Sequence, residues 1–167
     1  MQLHKHGQAV TIYSRNGGDF TRRFPAIAAA VLGLPTRSCI IDGEVIVPDA
    51  TGEPDFRALL HGRTQGACFD LMELQGRDIR EQPLEQRRAL LEALLKRAGS
   101  SLVRFSEGFP DPGVLLAECA RRGLEGIVSK RRSSPYRSGL RSGWIKVKTE
   151  PWRAANRERW RIFEKGS

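Results

Sequence analysis

Glu125-Gly126-Ile127-Val128-Ser129-Lys130-Arg131, followed after a Ser/Gly/Arg-rich connection by Trp144-Ile145-Lys146-Val147-Lys148, decides how this chain is read. Both are short β-type runs, and the second alternates apolar with basic residues. Lys146 and Lys148 are therefore expected on one face of a strand, since side chains two apart share a face. A carboxylate and several ammonium groups on two neighbouring strands suit a metal-bound polyphosphate. Taken alone, the two lysines also fit an exposed basic strand edge.

The surrounding composition is that of a globular chain. It has 167 residues, of which 40% are hydrophobic, and no apolar run near the roughly 18 residues of a membrane span. Met1 to His6 lacks the apolar stretch of a secretory signal, so a cytoplasmic protein with no membrane association is expected. Lys and Arg number 28 against 19 Asp and Glu, a formal charge of +9. That surplus favours a polyanionic partner, nucleic acid foremost, because each neutralised phosphate releases condensed counterions. A basic protein that uses its charge only for solubility is the plainer alternative. Cys39, Cys68 and Cys119 show no zinc-like spacing and have apolar neighbours, which predicts buried free thiols. His4 and His6 alternate on what reads as an edge strand, with solvent exposure as their expected fate.

Strands are expected over about residues 2–5 and 8–14 around a turn at His6-Gly7, and a helix over Phe24–Leu32 with Pro25 near its start and Gly33 after its end. Cys39-Ile40-Ile41 and Val45-Ile46-Val47 flank Asp42-Gly43-Glu44 and predict a buried strand interrupted by polar residues, which are costly there unless compensated. Asp55–Leu60 reads as a short helix and Cys68–Leu74 as a strand ending at Gln75-Gly76. Leu84, Leu91, Leu95 and Ala98, with Leu90 and Leu94 beside them, predict a core-packing helix in which Glu92 pairs with Lys96. A second amphipathic helix is expected from Val114 to Arg122, with Leu115, Leu116 and Cys119 inward. A basic helix is expected over Trp152–Phe163. The pattern is α+β, with antiparallel sheets flanked by helices.

Read together and in order, Ser14-Arg15-Asn16-Gly17, Asp42-Gly43-Glu44, Phe69-Asp70, Glu125-Gly126-Ile127-Val128-Ser129-Lys130 and Trp144-Ile145-Lys146-Val147-Lys148 resemble the ordered motifs of ATP-dependent DNA ligases of the bacterial end-joining type, members of the covalent nucleotidyltransferase superfamily. The resemblance implies a partial nucleotidyltransferase (ATP-grasp-like) adenylation domain over residues 1–150 and a basic tail over 151–167, with no oligonucleotide-binding (OB-fold) domain. It implies ATP with Mg²⁺ or Mn²⁺ as cofactors, and nicked or broken double-stranded DNA as substrate. It further implies end-joining proteins as partners, a monomer, and a place with the bacterial nucleoid in repair and recombination.

The same resemblance assigns roles. Arg15 would contact the 5′-phosphate of the nick, for which a planar guanidinium fork is suited. Glu44 would lie near the nucleotide sugar and metal, and Phe69 would stack on adenine. Glu125 would serve the divalent metal. Lys130 would lie close to the nucleotide, and Lys146 and Lys148 would reach its phosphates as the remaining catalytic groups. Arg137 and Arg141, in the connection from Arg131 to Gly143, would contact the DNA backbone. Each motif alone has a plainer reading: a loop turn for Ser14–Gly17, a strand bulge for Asp42–Glu44, core packing for Phe69, a solvated loop for the arginine-rich connection.

The family's nucleophilic lysine lies in Lys-x-Asp-Gly-x-Arg, and no such sequence occurs in these 167 residues. Met1 would stand just after the arginine of that motif, which gives the expectation of a start assigned too late or of a truncated gene copy. Three functions follow for the chain: a ligase domain unable to form its own lysyl-AMP, a weak sealer of nicks that already carry AMP, or a non-catalytic nucleic-acid-binding fragment. RNA ligases and capping-type nucleotidyltransferases share the chemistry, but Ser-Arg-Asn-Gly with Phe24-Pro25 fits DNA ligases better.

Overall fold

Gln2–His6 (β1) and Ala9–Tyr13 (β2) form the expected antiparallel hairpin. It opens the larger of two units in the computed structural model, which describes residues 1–47, 64–138 and 143–157. The first unit comprises Met1–Ser106 with Arg132–Arg137, and the second comprises Glu107–Arg131 with the residues from Ser138 onward. The expected helix at Asp55–Leu60 and the candidate Arg141 lie outside the described residues, as does the tail beyond residue 157.

In the first unit the hairpin leads to Pro25–Leu32 (α1), which has Pro in its first turn and Gly33 at its C-cap. Ser38–Ile46 (β3) and Gln65–Leu74 (β4) follow, then the short Arg77–Asp78 (β5), Leu84–Ala98 (α2) and Val103–Phe105 (β6). The strands form one sheet in the order β2-β1-β3-β4-β5, with β6 beside the start of β4. All pairings are antiparallel except β4 with β6, which run parallel. The α+β architecture with antiparallel-rich sheets is as expected, and β6 reaches its parallel place beside β4 through α2, a crossover that permits such pairing. Neither β5 nor β6 was expected from the sequence, being two and three residues long.

β3 runs unbroken through Asp42-Gly43-Glu44, so the polar residues do not interrupt the strand, and the register shifts beside them leave Met72 and Phe69 of β4 as extra residues. Gly43 is needed there, since a β-carbon would lie 2.6 Å from the Ala67 carbonyl oxygen. The expected edge position of His4 and His6 is also corrected. β1 is hydrogen-bonded on both sides, to β2 and β3, and the outer strand is β2. His6 is exposed, whereas His4 is half-buried with its ring edge-on to Tyr13 at 4.9 Å. Burial holds the His4 imidazole below its ordinary pKa.

One apolar cluster joins Leu3, Ile12, Ile41 and Leu71 of the sheet to Ile27 and Val31 of α1 and Leu91, Leu94 and Leu95 of α2. Cys39 and Cys68 lie in it as free thiols, pushed up to about 12 by burial, while Leu90 is 39% exposed on the far side of α2. Lys5 is buried on β1, and its ammonium donates to the Leu32 and Leu34 carbonyls at 2.5 and 2.6 Å. A cation there meets the carbonyls that a helix C-terminus leaves unpaired.

Arg87 of α2 and Asp70 of β4 are 0% exposed and form a two-pronged ion pair, with Nε and Nη2 each 2.8 Å from a carboxylate oxygen. The third nitrogen of Arg87 donates to the carbonyls of Gln82 and, at 3.1 Å, Ser134. The segment Arg132–Arg137 thereby closes over the start of α2, which has no side-chain cap. The Leu84 and Glu85 amides donate instead to the Ser134 and Arg132 carbonyls. Tyr136 is buried beneath Arg87, with its hydroxyl 3.4 Å from Asp42. Removing one partner leaves a buried charge uncompensated, so Arg87→Met should cost about 3–5 kcal/mol. Urea unfolding measures this. The double variant Asp70→Ala/Arg87→Met should lose less than the sum of the two single losses.

In the second unit Pro112–Arg121 (α3) is capped by Asp111, whose carboxylate accepts from the Gly113 and Val114 amides at 2.8 and 3.1 Å. Cys119 is its buried residue, and Leu115 and Leu116 are half-buried. Gly126–Lys130 (β7) and Trp144–Lys148 (β8) pair antiparallel, and Glu150–Ala155 (α4) follows.

Candidate functional site

The register of β7 against β8 places Gly126 opposite Lys148, Val128 opposite Lys146, and Lys130 opposite Trp144. Residues directly opposite in an antiparallel pair share a face. Lys130, Lys146 and Lys148 are thus gathered on one side of this two-stranded sheet, as the alternation predicts. Ile127, Ser129, Ile145 and Val147 take the other side.

Glu125, just before β7, reaches that basic face. Its Oε1 lies 2.8 Å from the Lys146 ammonium and 3.4 Å from that of Lys148. The hydrogen bond from Lys146 is the main reason its carboxyl is held below the ordinary value, opposed by partial burial and aided by Lys148. Two aromatic rings complete the arrangement. The Lys130 ammonium stands 3.6 Å from the Trp144 ring centre, and the Lys148 ammonium 3.9 Å from that of Trp152. Rings placed this way attract ammonium groups and limit their directions.

Gly126 makes the approach of the strands possible. Its φ is +147°, and a β-carbon would lie 2.0 Å from the Val147 carbonyl oxygen. Thr149 is 2% exposed and ties the end of β8 to the start of β7. Its hydroxyl donates to the Leu124 carbonyl at 2.8 Å, and its amide to the Glu125 carbonyl at 2.9 Å. It also caps α4 by accepting from the Trp152 amide, which brings Trp152 beneath Lys148. Neither Thr149 nor the two tryptophans was expected among the functional residues. Thr149 two residues before Pro151 is a helix-start signal that the sequence carries.

The first unit holds the other candidates. Glu44 is exposed on β3, opposite Ala67. Phe69 is half-buried on β4, where the register steps from Asp42↔Asp70 to Gly43↔Cys68 and makes it the extra residue of a β-bulge. Such bulges re-aim side chains beside functional sites. Arg15 is exposed on a tight turn in which the Ser14 carbonyl accepts from the Gly17 amide at 3.0 Å. Arg137 is forked onto Glu81.

Among the described residues no three His, Cys, Asp or Glu side chains gather as an all-protein metal cage. The donor set at Glu125 fits a different kind of metal binding. Mg²⁺ is commonly held by one or two carboxylates, with substrate phosphates and waters filling the rest of its shell. Glu125, kept ionised and flanked by ammonium groups that match phosphate oxygens, meets that description.

Residues 1–148 match the family model of the ATP dependent DNA ligase domain. The chain is 41% identical over 149 residues to the multifunctional non-homologous end joining protein LigD of Pseudomonas aeruginosa, an alignment covering 84% of this chain and 18% of that protein. It is similar to the crystal structure of the ligase domain from M. tuberculosis LigD, with a TM-score of 0.72 at 32% identity, covering 88% of this chain and 50% of that one. A mycobacterial DNA ligase D complexed with ATP and MES gives the same TM-score and coverage at 31% identity. The α+β fold is that of the ligase nucleotidyltransferase domain. The chain belongs to the ATP-dependent DNA ligase domain family, and it spans half of those solved chains and less than a fifth of the Pseudomonas LigD.

Two outcomes test this geometry. Because the folded Glu125 carboxyl is depressed from 4.5, its stabilising contacts should be complete above the ordinary carboxylate range and be lost as pH falls through the lowered value. A carboxyl-carbon NMR titration should give a midpoint below 4.5, and Lys146→Met should move it upward. Gly126→Ala should open the β7–β8 pair, read as loss of its cross-strand amide protection from hydrogen exchange.

Proposed function

We propose that the face formed by Glu125, Lys130, Lys146 and Lys148 binds the phosphates of ATP together with a divalent metal, and that the chain is the adenylation part of a DNA ligase acting on nicked or broken DNA in repair. The observation that carries this is Glu125 held between Lys146 and Lys148 on one strand face. An ionised carboxylate between two ammonium groups is a compensated site into which a polyphosphate and a cation fit with little change in net charge. The ATP complex of the mycobacterial relative supports the choice of nucleotide.

Ligation is displacement at phosphorus, in which catalysis rests on positioning and on neutralising oxygens. Lys146 and Lys148 would pair with the α-phosphate and leaving-group oxygens, with Lys148 directed by Trp152 and Lys130 by Trp144. Glu125 would hold Mg²⁺ or Mn²⁺, and Glu44 keeps its proposed role toward the nucleotide sugar and metal. When bound, the metal would neutralise phosphate charge. Phe69 would stack on the base and Arg15 would hold the 5′-phosphate of the nick. Arg137 and Arg141 would contact the DNA backbone, Arg137 exchanging its fork on Glu81 for phosphate oxygens. The partners proposed are double-stranded DNA and end-joining proteins. A monomer in the bacterial cytoplasm is the proposed state, with residues 151–167 as a basic tail. No described helix is long and apolar enough to cross a membrane.

The last step needs no enzyme nucleophile. The 3′-hydroxyl attacks the 5′-phosphorus, a phosphorus–oxygen bond forms, the bond to AMP breaks, and the hydroxyl proton passes to solvent. Lacking Lys-x-Asp-Gly-x-Arg, these 167 residues should take no covalent label from ATP and Mg²⁺, yet seal a nick already carrying AMP above background. Lys146→Ala/Lys148→Ala should abolish that sealing. A labelled protein band, or sealing untouched by the double variant, would contradict the assignment. Binding to DNA with steep salt dependence but no binding of ATP would favour the non-catalytic reading.

A further inference from the structure

We propose that Arg88 of α2 is a positioning residue for nucleotide binding, holding Phe69 in the direction needed to stack on the base. The inference rests on the reading of Phe69 as the base-stacking residue.

Phe69 is the extra residue of a bulge, and at a bulge the ladder with β3 is locally disrupted. The direction of its ring is then set by whatever else holds the backbone. Three consecutive residues are held from outside the β3–β4 ladder. The Cys68 carbonyl accepts from the Ser106 amide at 2.9 Å. The Phe69 carbonyl accepts from Arg88 Nη1 at 2.9 Å, and the Asp70 carboxylate takes the fork of Arg87. Arg88 spans two of these attachments, because its Nη2 donates to the Ser106 carbonyl at 2.6 Å while the guanidinium lies over the Phe105 ring at 4.4 Å.

A half-buried guanidinium is a poor choice for packing alone. Its worth here is geometric, since a planar fork can serve two carbonyls at a fixed separation. The carbonyls it serves belong to the bulge and to the end of β6. Arg87 and Arg88 are adjacent on one helix turn, so α2 grips the bulge at its carboxylate and at its carbonyl.

The test uses the 167-residue chain with Mg²⁺ and compares the dissociation constants of ATP and inorganic tripolyphosphate by calorimetry. Variants Phe69→Ala, Arg88→Met and Arg88→Lys are measured beside the parent. Phe69→Ala should weaken ATP about fivefold or more and leave tripolyphosphate unchanged. Arg88→Met should weaken ATP about threefold or more, again sparing tripolyphosphate. Arg88→Lys, which keeps a donor for one carbonyl, should fall between Met and the parent, and it carries the comparison if the Met variant does not fold. Equal weakening of both ligands, or none, in the Arg88 variants would overturn the positioning role while the stacking role stands. An unchanged ATP affinity in Phe69→Ala would overturn the stacking role and this inference with it. Failure of the parent chain to bind ATP would overturn the site as a whole.

Discussion

The first unit depends on a guanidinium and a carboxylate that have left water together. Arg87 and Asp70 are fully buried, and neither charge is tolerable there without the other. The pair joins the bulged strand β4 to α2, and the remaining Arg87 nitrogen takes the Gln82 and Ser134 carbonyls. In doing so it closes the start of a helix that has no capping side chain of its own. Tyr136 and Asp42 extend the network, so the segment Arg132–Arg137 is tied down by polar contacts and by the buried Tyr136 ring.

The second unit is small, and its organisation follows from a different constraint. Gly126 lets the chain pass so close to Val147 and Lys148 that no other residue fits, and Thr149 fastens the strand ends. The close approach brings the Glu125 carboxylate onto Lys146 and Lys148. Repulsion between the two lysines is relieved by that carboxylate and by the Trp152 ring. The result is a charged face whose carboxylate and ammonium groups are already paired with one another.

Much of this was readable from local pattern. The hairpin, α1, α2 and the β7–β8 pair follow from alternation, helical spacing and their Pro and Gly punctuation. Lys146, Lys148 and Glu125 converge as strand geometry requires. Arg87 was legible but missed, for it sits three residues after Leu84 and four before Leu91, on the apolar stripe of α2. An arginine on such a stripe asks for a buried anion, and Asp70 in an apolar strand asks for a cation. Other features were not local. β1 gains its second neighbour from a strand more than thirty residues on, so His4 and His6 looked like edge residues. The parallel strand β6 is three residues long and shows no period. The bulge at Phe69 arises from register between strands, which spacing along one chain does not reveal.

The central proposal is that Lys146 and Lys148 receive the phosphates of a nucleotide whose metal ion Glu125 holds. The most direct test is an NMR titration of the labelled chain with ATP and Mg²⁺, following the Glu125 carboxyl and the lysine ammonium signals. Saturable shifts at Glu125, Lys146 and Lys148 are predicted, with the shift at Glu125 lost in Lys146→Ala/Lys148→Ala. Saturable binding that leaves all three unmoved would contradict the account.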